Sequence, residues 1–357
     1  MKEIKSEANL VEMLVEMGEK PFRAKQIWGW IYNKGCDDFL KMTDLSSDLR
    51  EKLSNYIRIP RLENRMELMS RDGTIKWLLG LDDKNEIETV FIPEEKRGTI
   101  CVSSQVGCTL TCKFCHTGTQ KLVRNLSTDE IVSQVMIGKD KLNDWCNSTE
   151  KRLTNIVFMG MGEPMLNYEN VADAVRVLTH RDGLNYGKKR ITVSTSGLVP
   201  QIKRCATELG VRLAISLHAV TDDLRDELVP INRKYPIKEL LNACQVYASA
   251  TGGERITFEY VMLDGVNDSE EHAKKLVSLL KNIPSKVNLI PFNPWPGSQY
   301  KCSSREKIQK FASIVEKAGY TTPVRVTRGQ DIMAACGQLK SSSIKLSHNR
   351  FSHPTKN

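Results

Sequence analysis

The chain has 357 residues, of which 40% are hydrophobic, and it carries a formal net charge of +9 with a pI near 9.0. This length allows one large domain and a smaller one, and no run of 18 apolar residues predicts a membrane span. The positive charge favours an anionic partner such as nucleic acid. Because the first seven residues lack an apolar segment, we expect no signal peptide, a cytoplasmic location and reduced cysteines.

Residues 1–57 are predicted to form a small helical unit. Within residues 21–32, apolar side chains recur at helical spacing, and a basic side accompanies them (Ile27, Trp28, Ile31 and Tyr32; Arg23, Lys25 and Lys34). This unit is interpreted either as an RNA-gripping accessory domain or as a packing domain with a solvated charged face. Residues 58–98 are predicted to be a β-rich linker, with turns at 71–73 and 82–85 and a strand at 86–92.

From residue 99 onward the pattern becomes strand, loop and helix, repeated. Short apolar segments predict six strands (99–103, 155–159, 190–193, 212–217, 256–263 and 287–291). Helices are predicted near 127–141, where Ser127 and Glu130 form a capping box, and near 171–180, 237–249, 269–282 and 304–318. Six such units with right-handed crossovers predict an α/β fold, an incomplete (β/α)6 TIM-like barrel spanning 99–339. A further strand is expected at 323–327, and residues 340–357 are predicted to be a disordered basic tail.

The first predicted strand leads into three closely spaced cysteines, Cys108, Cys112 and Cys115. Three thiolates on one loop are typical of a metal or iron–sulfur site, and a [4Fe–4S] cluster held by three cysteines leaves one iron open. A structural zinc normally needs a fourth ligand at a matching spacing, which the loop lacks. The spacing therefore favours a cluster, with zinc or a chance arrangement as alternatives.

The other polar motifs each follow a predicted strand. Gly160–Pro164 follows the second strand, Ser194–Gly197 the third, His218 the fourth and Asn293 the sixth. Parallel α/β barrels carry their active sites at the carboxyl ends of their strands, so these motifs are predicted to meet at one rim.

The CxxxCxxC spacing is that of the radical S-adenosylmethionine (SAM) superfamily, and the surrounding motifs resemble the RlmN family of adenine carbon-2 RNA methyltransferases. The resemblance runs in family order from about Glu88 to Leu339. It is carried by the segments 102–108, 115–120, 160–164, 194–197, 216–218 and 334–339.

The resemblance implies a [4Fe–4S] cluster on Cys108, Cys112 and Cys115, whose open iron chelates SAM, with two SAM molecules used per turnover. Residues that match the family's SAM contacts are Gly162, Glu163, Ser194, Ser216, Leu217, His218 and Asn293. Met159 matches a methionine near the family's radical site, although strand packing explains it equally well.

The implied chemistry needs a protein thiol, because carbon 2 of adenine is electron-poor and does not attack a sulfonium. Cys336 matches the family's methyl carrier. Glu88 matches the base that removes the carbon-2 proton, and Cys101 matches the cysteine that releases the product and leaves a disulfide. Read without the resemblance, Glu88 is a surface strand residue, and Cys101 and Cys336 are small core residues.

By resemblance, the substrates are the peptidyl-transferase region of 23S rRNA and the adenine next to the tRNA anticodon. An external electron donor and a disulfide reductant are implied as partners, with no membrane, and a monomer is the default. Basic residues proposed to contact RNA lie at four places (Arg23/Lys25, Lys121/Arg124, Lys188–Arg190 and Arg325/Arg328). Alternatives are a Cfr-type carbon-8 methyltransferase, a non-enzymatic iron–sulfur electron carrier and an RNA-binding protein with a structural metal.

Overall fold

The computed structural model describes residues 1–146 and 150–341. The predicted tail therefore lies outside the described residues from 342 onward. Strands are β1 (Lys2–Glu3), β2 (Ile57–Arg58), β3 (Glu63–Met69), β4 (Ile75–Gly80), β5 (Glu86–Glu94), β6 (Arg97–Cys101), β7 (Gln105–Val106), β8 (Arg124–Asn125), β9 (Asn155–Phe158), β10 (Ile191–Thr195), β11 (Arg212–Ser216), β12 (Ile256–Met262) and β13 (Ser285–Pro291).

Helices alternate with the later strands. They are α1 (Glu7–Glu16), α2 (Arg23–Trp28), α3 (Ser47–Tyr56), α4 (Thr128–Leu142), α5 (Tyr168–Thr179), α6 (Val199–Glu208), α7 (Asp222–Leu228), α8 (Ile237–Ala250), α9 (Glu270–Leu280) and α10 (Arg305–Lys317). The capping box that opens α4 is present, with Ser127 and Glu130 each satisfying the other's backbone N–H. No helix in the described ranges is both long and apolar enough to cross a membrane.

The main sheet of the described chain has nine strands in the order β13-β12-β11-β10-β9-β6-β5-β4-β3. From β6 to β13 neighbouring strands are parallel, whereas β3 to β6 are antiparallel. The six parallel strands confirm the predicted incomplete barrel. Every residue of β12 is buried, as expected for a parallel strand that is covered on both faces.

Two details differ from the sequence predictions. The segment 323–327 is not a continuous strand, because only isolated bridges join Thr321 and Val324 to β13. Strands β3–β5 continue the barrel sheet by antiparallel pairing. As a result Glu88 is buried, with a relative exposure of 6%.

The N-terminal helices pack against the outside of the barrel. The predicted helix over 21–32 is observed as α2 followed by a π-helical turn at Gly29–Asn33. Trp28 is buried and lies 4.9 Å, between ring centroids, from His180. After α3, Arg58 donates a hydrogen bond of 2.7 Å to the buried Asp129 at the start of α4. The helical unit and the barrel therefore share apolar and ionic contacts.

Candidate active site

The cysteine loop lies at the carboxyl end of β6 and lines a cavity of about 150 Å³. Its turn is held by backbone hydrogen bonds, from Cys115 N to Cys112 O (3.1 Å) and from Cys108 N to Gln120 O (3.1 Å). Cys108, Cys112 and Cys115 all line this cavity, as the spacing predicts. We call it the cofactor cavity.

The three thiols fit a cluster better than a single ion. Burial and, to a smaller extent, the charge of the neighbouring Cys115 raise the pKa of Cys112 to about 12. Burial also raises the pKa values of Cys108 and Cys115. Thiolates in such a site need a positive centre to compensate them, as bound metal supplies. In the part of the chain that the structure describes, no three His, Cys, Asp or Glu side chains converge as ligands of one ion would. Cluster ligands bind different irons, so they need not converge in this way.

The segment after β9 forms the next part of the cavity wall. Gly162 has φ of +92°, and a Cβ at this position would lie 2.4 Å from the Gln105 side chain, so glycine is required. The buried Glu163 carboxylate accepts hydrogen bonds from the N–H groups of Met165 (3.0 Å) and Ser196 (2.8 Å). Glu163 therefore joins the ends of β9 and β10, in addition to lining the cavity.

His218 enters the cavity wall from the end of β11. Its ring is buried, and its Nδ1 accepts a hydrogen bond from Val261 N at 3.0 Å. Burial, together with the charge of Arg225, lowers the pKa of His218 to about 3. The ring is therefore neutral at physiological pH, and its proton lies on Nε2, where it is available as a donor.

Arg225 fixes the backbone beside His218. This fully buried guanidinium donates to the carbonyls of Ser196 (2.7 Å), Ser216 (3.0 Å) and Leu217 (3.1 Å). Leu217 therefore contributes to the site through its backbone, and its side chain does not line the cavity. Arg225 holds the ends of β10 and β11 at a fixed spacing.

Cys336 lies where the C-terminal loop crosses the barrel rim. Asn293 Nδ2 donates to the Cys336 carbonyl at 3.2 Å, and Asn293 Oδ1 accepts from Thr327 at 3.0 Å. His116 N, next to the cysteine loop, donates to Gly337 O at 2.7 Å. These contacts attach the Cys336 loop both to the cysteine loop and to the end of β13.

A second, larger cavity of about 510 Å³ extends through the barrel from Cys336. Cys336 lines both cavities, as do Met159, Glu259, Asn293 and Arg325. The lining of the second cavity holds five cationic side chains (Arg97, Arg212, Lys286, Arg325 and Arg328) and three carboxylates (Glu94, Glu95 and Glu259). Burial lowers the pKa of Lys286, an effect that the charge of Glu259 partly offsets. Because the cations outnumber the carboxylates, the lining carries a net positive charge.

Two predicted catalytic residues lie beside the cavities and do not line them. Cys101 is buried at the end of β6, and burial raises its pKa to about 12, with a further contribution from Cys336. Glu88 is buried on β5, where Oε1 pairs with Lys76 Nζ at 2.8 Å and Oε2 accepts from Lys340 N at 2.8 Å. Apart from Leu217, the structure thus places the remaining predicted site residues around one cavity (Gly162, Glu163, Ser194, Ser216, His218, Asn293 and Cys336, with Cys108, Cys112 and Cys115).

The predicted RNA contacts differ in their surroundings. Arg124 forms ion pairs with Asp83 (2.6 Å) and Glu130 (2.7 Å), so its charge is compensated within the chain. Lys25 pairs with Asp182 at 3.3 Å. Arg325 instead faces both cavities, and the charge of a Cys336 thiolate raises its pKa.

Sequence reasoning overlooked Arg225, Glu259 and Lys76. Glu259 is buried in β12 and its Oε1 accepts from Asn288 at 2.9 Å, while its Oε2 has no partner among the described residues. An acidic residue in the otherwise apolar or uncharged segment 256–263 was a usable signal for Glu259. Lys76 carried the same signal, as the one charged residue of the apolar segment 75–80, whereas Arg225 lies in an ordinary polar pattern and gave none.

Comparison with known proteins assigns both parts of the chain. The sequence model of the radical SAM superfamily matches residues 102–277, and that of the ribosomal RNA large subunit methyltransferase N-terminal domain matches residues 5–59. A protein of Parvibaculum lavamentivorans, named dual-specificity RNA methyltransferase RlmN, is 60% identical over 333 residues (90% of this chain, 84% of the relative). A protein of Rhodospirillum rubrum with the same name is 55% identical over 342 residues (95% and 80%). The crystal structure of a radical SAM methyltransferase from Sphaerobacter thermophilus superposes with a TM-score of 0.89 at 46% identity, covering 94% of this chain and 97% of that one.

Proposed function

This chain belongs to the RlmN family of radical SAM RNA methyltransferases, and we propose that it methylates carbon 2 of adenine in 23S rRNA and in tRNA. The observation that best supports a methyl-carrier mechanism is the position of Cys336. It lies at the boundary of the cofactor cavity and the basic second cavity, with Cys101 buried nearby. A thiol at this boundary is suited to take a group from one ligand and pass it to another.

Membership of the superfamily implies a [4Fe–4S] cluster and SAM. Cys108, Cys112 and Cys115 would hold the cluster, and the backbone at Gly162, with Ser194 and Asn293, would contact SAM. When bound, these groups would supply the abstraction of a hydrogen atom. The close backbone approach at Gly162 and the neutral His218 donor would help to position them.

Each protein side chain has one step in the proposed reaction. The Cys336 thiol loses its proton, and its Sγ accepts a methyl group from one SAM, which leaves as S-adenosylhomocysteine. This methyl group then gives up a hydrogen atom, and its carbon bonds to carbon 2 of adenine. The resulting adduct loses one electron, which the oxidised cluster would take up. Glu88 removes the carbon-2 proton. The Cys101 thiol loses its proton, and its Sγ attacks Cys336 Sγ. The sulfur–carbon bond breaks, the released carbon takes up a proton to become the methyl group, and the chain is left with a Cys101–Cys336 disulfide.

The basic second cavity supports an RNA substrate. Arg325 and Arg328 face this cavity near Cys336, and Arg212 and Lys286 line it further along the barrel. Carbon 2 lies on the Watson–Crick side of adenine, so the target base must be unpaired or extruded to reach Cys336. The residues 1–57 are proposed to be an RNA-binding accessory domain, followed by the extension 58–98 and the barrel domain 99–339.

We further propose a cytoplasmic monomer that depends on an external electron donor for the cluster and on a reductant for the disulfide. The test is peptide mass spectrometry across Cys336 after anaerobic cluster reconstitution and incubation with methyl-labelled SAM. A labelled methyl group on Cys336, followed by its transfer to carbon 2 of adenine in digested RNA, is the expected result. A label on carbon 8 would indicate the Cfr-type alternative, and an unmodified Cys336 with SAM bound would refute the carrier mechanism.

A further inference from the structure

A buried ion pair lies beneath the Cys336 loop. Lys76 on β4 and Glu88 on β5 are diagonal neighbours on one face of the sheet, since Lys76 pairs with Val90 and Glu88 with Leu78. Lys76 Nζ lies 2.8 Å from Glu88 Oε1, and the two side chains are only 10% and 8% exposed. The close approach and the burial make this a specific pair rather than a surface contact.

The pair holds the loop on both sides of Cys336. On the N-terminal side, Lys76 Nζ donates to Met333 O at 3.1 Å. On the C-terminal side, Lys340 N donates to Glu88 Oε2 at 2.8 Å. The turn between β3 and β4 adds a third anchor, in which Asp72 accepts from Gly329 N at 2.9 Å. Lys76 therefore contacts both the proposed base and the loop that carries the proposed methyl carrier.

This arrangement constrains how Glu88 can act. A base must be an ionised carboxylate, and a buried carboxylate is costly unless a cation or several hydrogen bonds compensate it. Both Glu88 oxygens have partners in this structure, one in Lys76 and the other in the loop backbone. Displacement of Lys340 N would free Oε2 for a proton, while Lys76 would continue to compensate the charge through Oε1.

We infer that Lys76 is a positioning residue for the reaction, which pairs with the Glu88 carboxylate, orients it and ties it to the Cys336 loop. This inference rests on the proposed role of Glu88. Lys76 contacts neither the cofactor cavity nor the basic cavity, so it acts through Glu88 and the loop backbone and not through substrate. Transfer of methyl to Cys336 does not use Glu88, whereas release of methylated adenine does.

The test separates these two steps in Lys76→Met, Lys76→Arg, Glu88→Gln and the double variant Lys76→Met/Glu88→Gln. Labelled methyl on Cys336 is measured without RNA. Methylated adenine and RNA covalently attached to Cys336 are measured with RNA, the latter by denaturing electrophoresis. In Lys76→Met, the rate of Cys336 methylation should stay within about threefold of that of the unaltered enzyme. Adenine methylation should fall about 100-fold, which is the usual contribution of a general base, and RNA attached to Cys336 should accumulate. Lys76→Arg should recover at least about tenfold of that loss, because it restores the charge.

The double variant decides whether Lys76 acts through Glu88. It should be no slower than Glu88→Gln alone, because groups acting as a unit are not additive. Lys139→Met is the matched control, since Lys139 is also 10% exposed, lies on α4 and is 3.9 Å from its nearest acidic partner, Asp144. Normal adenine methylation in Lys76→Met, or losses that multiply in the double variant, would overturn the inference. Failure of Cys336 methylation in the unaltered enzyme would instead refute the proposed function.

Discussion

Gly107 determines the backbone conformation at the start of the cysteine loop, and its replacement by alanine tests whether iron binding depends on that conformation. Gly107 has φ of +76°, and an added Cβ would lie 2.3 Å from the backbone carbonyl oxygen of Lys121. A side chain in this conformation costs about 1–2 kcal/mol. Relief of the contact requires the backbone at 120–121 to move by about 1 Å, which disturbs the 3.1 Å hydrogen bond from Cys108 N to Gln120 O and costs about 1 kcal/mol more. We expect a total loss of about 2–3 kcal/mol in the free energy of unfolding.

The assay compares iron content after anaerobic reconstitution, together with unfolding in denaturant, for Gly107→Ala and for the control Gly252→Ala. Gly252 has a similar φ of +71°, but an added Cβ would meet nothing within 4 Å, so this control isolates the conformational cost. Gly252→Ala should lose about 1–2 kcal/mol and keep its iron. Gly107→Ala should lose more stability and most of its iron, because Cys108 follows it directly. Equal iron content in the two variants would show that the loop geometry does not depend on Gly107.

Three further outcomes are expected. Cys336→Ala should abolish RNA methylation but retain cluster and SAM binding. Cys302 is exposed and lies outside both cavities, so the control Cys302→Ala should keep full activity. Loss of RNA methylation in both variants would argue against Cys336 as a specific methyl carrier. Burial lowers the pKa of His218 below its unfolded value, so the unfolded chain binds the extra proton and stability falls as the pH drops from about 6.5 towards about 3. His218 by itself lowers the free energy of unfolding by about 1 kcal/mol between pH 7.5 and pH 5.5, so the change in stability between these two pH values should be about 1 kcal/mol less unfavourable in His218→Asn than in the unaltered protein. The double variant Arg212→Gln/Lys286→Gln should weaken RNA binding. The slope of the logarithm of the binding constant against the logarithm of the salt concentration should become shallower by about one to two. An unchanged slope would show that RNA does not bind at these two residues.

The barrel and its cysteine loop were predictable because their signals are local. Alternating strands and helices with right-handed crossovers allow few topologies, so the order of the parallel strands followed from the chain. The motifs after these strands then met at one rim, as the carboxyl ends of parallel strands must. The capping box at Ser127 and Glu130 was equally readable, since its two partners are three residues apart.

The surroundings of the catalytic candidates were not predictable in this way. Glu88 was expected on a strand face, and only the structure shows its pairing with Lys76 and with the backbone of Lys340, 252 residues away. Nothing in the local sequence marked Arg225, because its role depends on three backbone carbonyls that come together only when β10 and β11 are in place. Cys101 and Cys336 are 235 positions apart in sequence, and their proximity likewise depends on the folded barrel.

Local patterns in the chain were therefore enough to predict the fold class and, through the family motifs, the type of reaction, and they propose Cys108, Cys112 and Cys115 as the cluster ligands. These depend on spacing and periodicity within short segments, which the chain fixes before it folds. The folded structure was needed to show which side chains share a cavity, which are buried behind it and which carboxylate forms an ion pair. Burial and ion pairing are set by contacts between distant segments, so the same glutamate is a solvated surface residue in the sequence pattern and a buried, compensated carboxylate in the folded protein.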